Sequence, residues 1–516
     1  MPGTDFDVLV MGGGLAGSLL ARQLSRQCPD ARVMVVEKRA ETDFKVGEST
    51  VEIFADYLIR RLGLSTYLYE EHLPKNGLRF FFDDAERKTP LEEMSEIGST
   101  GLPWIPSFQI DRRRFEDDLR ERARVSGVTW VHGRVRGIEL GADSHRVTIE
   151  QSGKTELRTT RWLVDASGRA GLLAKLEGWR LPCPNHAIAG AWGRFEGVLE
   201  WDDDRPEPFR SRVRQTSRRL STNHFCYPGY WIWLIPLRGG VTSVGIVGLP
   251  ESVPGAWNRP AGFRELLDRH RAVRDLLAPA RMLDFGTYPH LAHGTRRFLD
   301  ARRVALIGEA AAFTDPFYSP GSDFIALEND LTCDLVARDS RSGAVDRARV
   351  AAYEDLLQGR VALNLQIYES LYPLLGSFEL FRHKWDLDLT AYYDLWLSAY
   401  LRDEHLDLER LAAAKQQRPF VQSAVSHFNR RLRLACEDAL SNGTYFEGNR
   451  GRFLDALATI DFVKDIGGER TESEILRVLL ASFRRVRRGL LPETDSAERG
   501  EPGLEEFVSG QALAVR

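Results

Sequence analysis

The sequence has few cysteines, and they follow no regular spacing. Five cysteines occur in 516 residues, and none belongs to a CxxC pair. An odd, scattered set in a chain of this size argues against a disulfide framework and favours a reduced, cytoplasmic protein. The 11 histidines are dispersed too. Because no HExxH or HxH spacing occurs among them, we expect no metal centre.

Long apolar runs and a strong net charge are also missing. No stretch approaches the roughly 18 apolar residues of a membrane span. The start, MPGTDFDVLVMGGG, lacks the basic segment that opens a signal peptide. A net charge of −4 gives no reason to expect nucleic acid or an anionic membrane as partner. With 43% hydrophobic and 28% charged residues, the composition is that of a globular protein with a large core.

The first 40 residues carry a nucleotide-binding pattern. An apolar strand over residues 7–11 leads into Gly12-x-Gly14-x-x-Gly17, a helical segment follows, and a second strand ends at Glu37. This order predicts two parallel strands with a right-handed crossover. The glycines allow a tight turn, close approach of a pyrophosphate and close helix packing, and Glu37 would accept hydrogen bonds from a ribose. We add the neighbouring residues Leu15, Ala16 and Lys38 to the predicted cofactor contacts.

Several distant segments point to the same nucleotide. FQIDR ends at Arg112 before an amphipathic helix, VDASGRAG contains Asp165 after a strand, and GEAA leads to Asp315-Pro316. The spacing of the Gly-rich turn does not separate NAD from FAD. A chain that returns repeatedly to one nucleotide favours the longer, deeply buried FAD.

The remaining pattern predicts the architecture. We expect an α/β fold in which a Rossmann-like FAD-binding domain carries an inserted β-rich substrate domain, followed by a helical C-terminal part. The predicted FAD-binding body covers residues 1–340, with the β-rich part interleaved at about 75–105 and 180–300. Residues 341–488 are expected to be helical. The acidic, Pro- and Gly-bearing stretch 489–516 is expected to be a mobile tail.

Four motifs together suggest a family. They are the Gly-rich turn, the loop Val46-Gly47-Glu48-Ser49-Thr50, the strand Trp231-Ile232-Trp233-Leu234-Ile235-Pro236, and Lys75. Over residues 5–335 the chain resembles the flavin-dependent halogenases, a group of FAD enzymes related to aromatic hydroxylases. The loop is similar to the family's VGES flavin loop, the strand matches its WxWxIP signature, and Lys75 lies where the family keeps its essential lysine.

The resemblance implies an activity. A separate flavin reductase would supply reduced FAD, and oxygen with chloride or bromide would yield hypohalous acid. Lys75 would place the halogen for attack by an electron-rich aromatic, either a small molecule or a carrier-protein-bound group. Gly47, Glu48 and Ser49 would contact the flavin. The residues that would keep the substrate away from the flavin are Trp231, Trp233, Ile235 and Pro236.

The residues alone leave alternatives open. A lysine desolvated beside the apolar run LRFFF would have a lowered pKa, whereas a surface lysine flanking a strand is the commoner case. Two tryptophans spaced two apart can also simply face a core. The aromatic residues of the C-terminal part fit either a core or a substrate pocket.

The turn over residues 315–322 departs from the family pattern. In the family, backbone N–H groups of a small residue and a glycine hold the halide, but here the small residue is Pro320, which has no N–H. Losing one hydrogen bond to the halide weakens halide binding by about 1.5–3 kcal/mol. We predict a halide site at Ser319, Gly321 and Ser322, of which the last two also contact the flavin.

Two further points concern the function. Tyr318 stands where tryptophan halogenases carry a glutamate, which favours a phenol- or pyrrole-type substrate. Pro320 supports an alternative, an FAD-dependent monooxygenase or oxidase of the same fold without halide chemistry. A non-enzymatic flavin-binding protein is a third hypothesis. The sequence does not identify the substrate, the preferred halide or the oligomeric state.

Overall fold

The structure, a computed structural model, describes residues 4–253, 255–369, 371–459, 463, 466–468 and 470–490. The chain divides into two compact units. Unit 1 comprises the described chain up to Pro74, Ser107–Pro184 and Leu291–Ala362. Unit 2 comprises Lys75–Pro106, Asn185–His290 and the described chain from Leu363 onward. No helix among these residues is both long and apolar enough to cross a membrane.

The strands of the described chain are β1 (Phe6–Met11), β2 (Val33–Glu37), β3 (Leu73–Lys75), β4 (Leu78–Phe82), β5 (Ser95–Gly98), β6 (Ser107–Gln109), β7 (Thr129–His132), β8 (Arg134–Leu140), β9 (His145–Gln151), β10 (Lys154–Asp165), β11 (Arg180–Pro182), β12 (Ala189–Glu196), β13 (Thr222–Tyr227), β14 (Tyr230–Pro236), β15 (Val241–Gly248), β16 (Arg281–Met282), β17 (Gly286–Tyr288), β18 (His293–Thr295), β19 (Leu299–Asp300), β20 (Val304–Leu306) and β21 (Phe453–Asp455).

The helices are α1 (Leu15–Gln27), α2 (Glu52–Asp56), α3 (Ser65–Glu71), α4 (Arg112–Val125), α5 (Leu172–Leu176), α6 (Glu207–Arg210), α7 (Pro260–Asp268), α8 (Arg271–Leu276), α9 (Pro320–Ser342), α10 (Arg347–Tyr368), α11 (Leu371–Leu374), α12 (Phe378–Ala391), α13 (Ser398–Leu401), α14 (Leu408–Ser441) and α15 (Glu472–Leu490).

Unit 1 is built on a largely parallel sheet. Its main strand order is β19-β20-β10-β1-β2-β7, and β1 pairs in parallel with both β2 and β10. The predicted parallel βαβ start is therefore confirmed. Residues 8–11 of β1 are at most 1% exposed, as expected for a strand buried on both faces. The carboxyl ends of β1, β2, β10 and β20 meet at one edge, where open α/β sheets bind their ligands.

Unit 2 contains a nine-stranded sheet with the main order β16-β12-β15-β14-β13-β4-β5-β21. The apolar side chains of β4 lie on both faces of this sheet. The Phe81 ring stacks on Phe225 with centroids 5.1 Å apart, whereas the Phe80 ring lies 4.9 Å from Trp385 of α12. Because side chains alternate along a strand, one face holds an extensive apolar core and the other is covered by α12.

Unit 2 also encloses a cluster of buried charges. Glu96 on β5 is fully buried, and its carboxylate pairs with the guanidinium groups of Arg79, Arg212 and Arg218. Burial alone would raise the pKa of Glu96, but Arg79 and Arg218 hold it at about 2. Removing one partner of such a buried pair leaves an uncompensated charge, so the cluster fixes how β4 and β5 pack.

Some elements differ from the sequence prediction. The C-terminal part was expected to be helical throughout, but β21 lies within it and pairs in parallel with β5. The strand expected over 303–310 is limited to Val304–Leu306, because Gly308 adopts a positive φ of 59° and starts a short turn. Most of α10 belongs to unit 1, which extends to Ala362, and the described helices from α11 onward belong to unit 2. Helix α15 continues to Leu490, and the rest of the predicted tail lies outside the described residues.

Candidate active site

The Gly-rich turn joins β1 to α1 at the ligand edge of the unit 1 sheet. Gly12 has φ +112°, and a Cβ there would lie 2.3 Å from the carbonyl oxygen of Ala166. A Cβ on Gly17 would lie 2.0 Å from the carbonyl oxygen of Gly12. Only glycine fits both positions, so the turn is tight and the N-terminus of α1 opens at this edge. Leu15 and Ala16 form the buried first turn of that helix.

Glu37 lies at the end of β2 beside this turn. Its Oε2 accepts a hydrogen bond of 2.7 Å from the Gly13 N–H, and its Oε1 accepts one of 2.9 Å from the Arg39 N–H. The carboxylate thus fixes the Gly-rich turn and is half-buried. The side chain of Lys38 is exposed. The ribose contact of Glu37 and the cofactor contact of Lys38 stay predictions.

The VGES loop is held against the start of α4. Arg112 Nη1 donates to the Val46 carbonyl over 2.9 Å, and Arg112 also pairs with the buried Glu116. Gly47 has φ +100°, and Glu48 Oε2 accepts a 2.9 Å hydrogen bond from its N–H. Ser49 pairs with Gln109 as an isolated bridge. This arrangement brings together the loop and Arg112, which the sequence placed near the flavin independently.

Gln109 is a candidate contact that the sequence analysis did not select. Its side chain is fully buried, and in the described chain neither end of its amide has a hydrogen-bonding partner. A buried amide without partners costs free energy unless a ligand satisfies it. Together with the glycine turn at the sheet edge, Gln109 fits a bound dinucleotide such as FAD. The only sequence signal was its place in FQIDR, directly before α4.

Asp165 holds together the loop after β10. Its Oδ1 accepts a 2.9 Å hydrogen bond from the Ser167 N–H, and its Oδ2 accepts one of 2.7 Å from the Leu173 N–H. Complete burial raises the pKa of this carboxyl group. Both oxygens shape the loop that carries Ala166 against Gly12. Direct contact with the cofactor stays a prediction for Asp165.

The Asp-Pro turn leads into α9. Asp315 is buried, and its Oδ1 accepts a 2.8 Å hydrogen bond from the Phe317 N–H. Ser319 adopts a positive φ of 58°, and Pro320 is the first residue of the helix. The turn borders a recess lined by Ala312, Phe313, Thr314, Asp315, Gly321 and Phe324.

Some hydrogen-bond donors of this turn already have acceptors within the protein. Ser319 N–H donates to the Pro316 carbonyl over 3.0 Å, and Ser319 Oγ donates to Ser49 Oγ over 3.1 Å. Ser322 Oγ donates to the Ser319 carbonyl over 3.2 Å. Helix geometry leaves the first N–H groups of α9 without intrahelical acceptors. The backbone N–H groups of Gly321 and Ser322 are therefore the donors that suit a halide here.

In unit 2, β14 presents Trp231, Trp233 and Ile235 on one face. The Trp231 and Trp233 rings lie 5.6 Å apart, and Trp233 Nε1 donates to Ser243 Oγ over 3.2 Å. Ile232 and Leu234 point into the core on the opposite face. A Cβ on Gly245 of the neighbouring strand would lie 2.1 Å from the Trp233 ring, so this glycine makes room for the indole. Ile235 and Pro236 complete the strand and are buried.

Further aromatic side chains surround Trp231. Its Nε1 donates to the Tyr372 hydroxyl over 3.5 Å, and its ring lies 5.1 Å from His224. The His224 ring in turn stacks on Phe80 at 4.8 Å. We call Phe80, His224, Trp231, Trp233 and Tyr372 the aromatic cluster. The rings are buried against one another, as in a core. The barrier role of the WxWxIP residues stays a prediction.

Lys75 ends β3 and is 1% exposed, so the surface-lysine alternative is wrong. The next residue, Asn76, anchors the chain because its N–H donates to the Leu220 carbonyl over 2.7 Å and its carbonyl accepts from Ser221 Oγ. Lys75 therefore has a fixed backbone position in unit 2. Its catalytic role stays a prediction. Among the described residues, no group of His, Cys, Asp and Glu side chains suits a metal ion.

Comparisons with known proteins agree with this geometry. Residues 5–204 match a family model described as an FAD binding domain. The crystal structure of halogenase PltM in complex with phloroglucinol and FAD covers 94% of this chain and 97% of its own, with a TM-score of 0.68 and 17% identity. That likeness shows the fold.

Two curated relatives are informative. A 1H-pyrrole-2-carbonyl-(peptidyl-carrier protein) chlorinase of Pseudomonas fluorescens is 24% identical over 335 residues, covering 61% of this chain and 72% of the relative. The flavin-dependent halogenase chlA of Dictyostelium discoideum is 30% identical over 438 residues, covering 78% of this chain and 72% of the relative. The likeness to chlA over most of both chains, with the FAD-binding fold, shows that this protein belongs to the flavin-dependent halogenases.

Proposed function

We propose that this halogenase adds chlorine or bromine to a phenol-type aromatic ring, using reduced FAD from a separate flavin reductase. The observation that carries the proposal is the complete burial of Lys75, in the same unit as the aromatic cluster. Burying a lysine costs free energy, so fully buried lysines are rare and a functional role is a common reason for them. The burial of Lys75 therefore supports the proposal that it is the family's essential lysine.

The FAD site is proposed at the ligand edge of the unit 1 sheet. Gly12, Gly14 and Gly17 would let the pyrophosphate approach the backbone. Glu37 would accept hydrogen bonds from the ribose. The VGES loop and Gln109 would bind the remaining polar groups of FAD. When bound and reduced, FAD would supply two electrons to oxygen; the halide supplies the other two and becomes the electrophilic halogen of hypohalous acid, with water as the second product. Gly321 and Ser322 would bind the halide through their backbone N–H groups, aided by the partial positive charge of the α9 N-terminus.

Lys75 is proposed to hold hypohalous acid by a hydrogen bond from its ammonium group. A ring carbon attacks the halogen, the carbon–halogen bond forms and the oxygen–halogen bond breaks. The ammonium protonates the departing hydroxide to water, and the resulting Lys75 amine takes up the proton that the ring loses as aromaticity is restored. Trp231, Trp233, Ile235 and Pro236 would keep the substrate ring away from the flavin, which suppresses hydroxylation.

One observation disfavours free tryptophan, and a second favours a phenol. Tyr318 puts an uncharged side chain where tryptophan halogenases carry a glutamate, which removes the partner of a free amino-acid substrate. A structural neighbour was crystallised with phloroglucinol, a phenol. The carrier-bound pyrrole acted on by another relative is the second candidate, because both rings are electron-rich.

Mass spectrometry of products tests this proposal. The protein is incubated with FAD, a flavin reductase, NADH, oxygen and separate phenols, pyrroles and indoles, with chloride, with bromide and without halide. We expect phenol products that carry the isotope pattern of the halide supplied. A product that gains oxygen regardless of halide would favour the monooxygenase alternative. Turnover confined to the pyrroles would show that the substrate is a pyrrole and not a phenol.

A further inference from the structure

The chain passes from Lys75 into one edge of the unit 2 sheet. Strands β4 and β13 run parallel with Leu78 opposite Thr222, so both strands begin at this edge. Strand β5 runs antiparallel to β4 and ends here at Gly98. Strand β14 runs antiparallel to β13 and ends here at Pro236. The edge therefore carries both the proposed catalytic lysine and the end of the WxWxIP strand.

Hydrogen bonds join the loops at this edge. Asn76, the residue after Lys75, donates from its side-chain amide to the Thr216 hydroxyl. The Thr100 carbonyl, in the loop after β5, accepts a 2.9 Å hydrogen bond from the Arg214 N–H. The backbone at Lys75, the loop after β5 and the segment before β13 thus lie close together within unit 2.

The loop after β5 exposes two large apolar side chains. Leu102 and Trp104 are 60% and 56% exposed. Single exposed apolar residues are common, but two within three residues form a small patch. The base of the loop is fixed, because the Thr100 N–H donates to Asp455 Oδ1 over 3.3 Å and its hydroxyl donates to Oδ2. Pro103 further restricts the backbone between the two apolar residues.

Arg214 adds a positive charge at the same edge. Its side chain is exposed. The nearby Arg212 and Arg218 both pair with Glu96, whereas in the described part of the chain no carboxylate forms an ion pair with Arg214. The planar guanidinium group matches a carboxylate with two parallel hydrogen bonds. An exposed patch of apolar and cationic side chains therefore adjoins the backbone at Lys75.

We propose that Leu102, Trp104 and Arg214 form a substrate subsite that recognises a phenol carrying an apolar substituent and a carboxylate. The inference rests on the proposed function and names the substrate class of that same site. Leu102 and Trp104 cover the apolar substituent, and Arg214 pairs with the carboxylate. The phenol ring enters toward Lys75. The three residues bind and position the substrate and take no part in the chemical step.

Isothermal titration calorimetry on the FAD-loaded, oxidised full-length protein tests the subsite without turnover. The probes are olivetolate, a dihydroxybenzoate with a pentyl chain, its methyl analogue orsellinate, and olivetol, which has the pentyl chain but no carboxylate. We expect olivetolate to bind most tightly. Trp104→Ala should weaken binding of the two pentyl compounds about tenfold and leave orsellinate nearly unchanged. Arg214→Gln should weaken only the two benzoates, by about threefold.

Leu199→Ala and Arg274→Gln are matched controls, since both residues are exposed and lie elsewhere in unit 2. Both should bind all three probes like wild type. Failure of olivetolate to bind, equal affinity for the three probes, or Trp104 and Arg214 variants that bind like the controls would overturn the subsite. Binding differences that persist in a protein that halogenates no phenol would support the subsite and count against the proposed function.

Discussion

Pro320 occupies the first position of α9, where no residue would find an intrahelical acceptor for its N–H. Proline is favoured there because its fixed φ suits the start of a helix. Pro320 removes a halide donor that the family's turn has, but it also stabilises the start of the helix that follows. The remaining donors, Gly321 and Ser322, lie on the next two positions of the same helix.

Replacing Pro320 by alanine adds one N–H at the turn. Because a hydrogen bond to an anion contributes about 1.5–3 kcal/mol, we expect the KM for chloride and bromide to fall by roughly tenfold or more. Pro260→Ala is the control, since Pro260 also opens a helix but lies in unit 2. An unchanged KM in Pro320→Ala would place the halide elsewhere.

Replacing Gln109 should change the stability of the apo protein and its affinity for FAD in opposite directions. Gln109→Leu removes a buried amide without partners, so the apo protein should be as stable as wild type or more stable. FAD affinity should fall, since about 0.5–1.5 kcal/mol of hydrogen bonding is lost, roughly 2- to 12-fold in Kd. Thermal melting and fluorescence titration measure the two effects. Gln151→Leu, at an exposed site on β9, should leave FAD binding unchanged; a clearly lower apo Tm for Gln109→Leu would count against the assignment.

Among elements, the βαβ start was predictable because its strand, turn, helix and acidic end follow one another within about 35 residues. β21 was not, since a three-residue strand has no periodicity of its own and pairs with β5 across more than 300 residues of sequence. Gln109 shows the same limit at the site. It pairs with Ser49, 60 residues away in sequence, and its side-chain amide is buried without partners, which sequence spacing does not reveal.

Strand β15 makes room for the Trp233 indole by having glycine at position 245. Gly245→Ala would force the ring to move, and overpacking of this kind costs about 1–3 kcal/mol. We expect a lower Tm and a shifted tryptophan emission spectrum. Gly294→Ala on β18 is the control, since a Cβ there would lie 3.9 Å from its nearest neighbour. Identical spectra and melting for Gly245→Ala would show that the indole has another position.

At the scale of the whole molecule, the chain passes between the two units several times, and each unit collects segments far apart in sequence. The WxWxIP strand and Lys75 fall in unit 2, whereas the Gly-rich turn, the VGES loop and the Asp-Pro turn fall in unit 1. The motifs could be recognised singly from sequence. The buried cluster around Glu96 could not, because its arginines come from residues 79, 212 and 218.

The buried charge cluster around Glu96 should make the free energy of unfolding depend on pH. The pKa of Glu96 is lowered to about 2, so its contribution is complete above its ordinary pKa and is lost as pH falls from about 4.5 toward 2. Burial lowers the pKa of Arg79, but arginine remains protonated in proteins. Glu96→Gln should cost about 3–5 kcal/mol at neutral pH. Urea unfolding at several pH values measures this, and a variant as stable as wild type at pH 7 would contradict it.

The most direct test of the proposed mechanism is product formation by Lys75→Ala, compared with Lys88→Ala at an exposed lysine of the same unit. FAD affinity and oxygen consumption are measured beside the halogenated product, which separates a lost catalytic group from a misfolded protein. We predict that Lys75→Ala binds FAD and consumes oxygen like wild type but forms no halogenated phenol, whereas Lys88→Ala is unaffected. Halogenated product from Lys75→Ala at the wild-type rate would show that Lys75 is not the group that delivers the halogen.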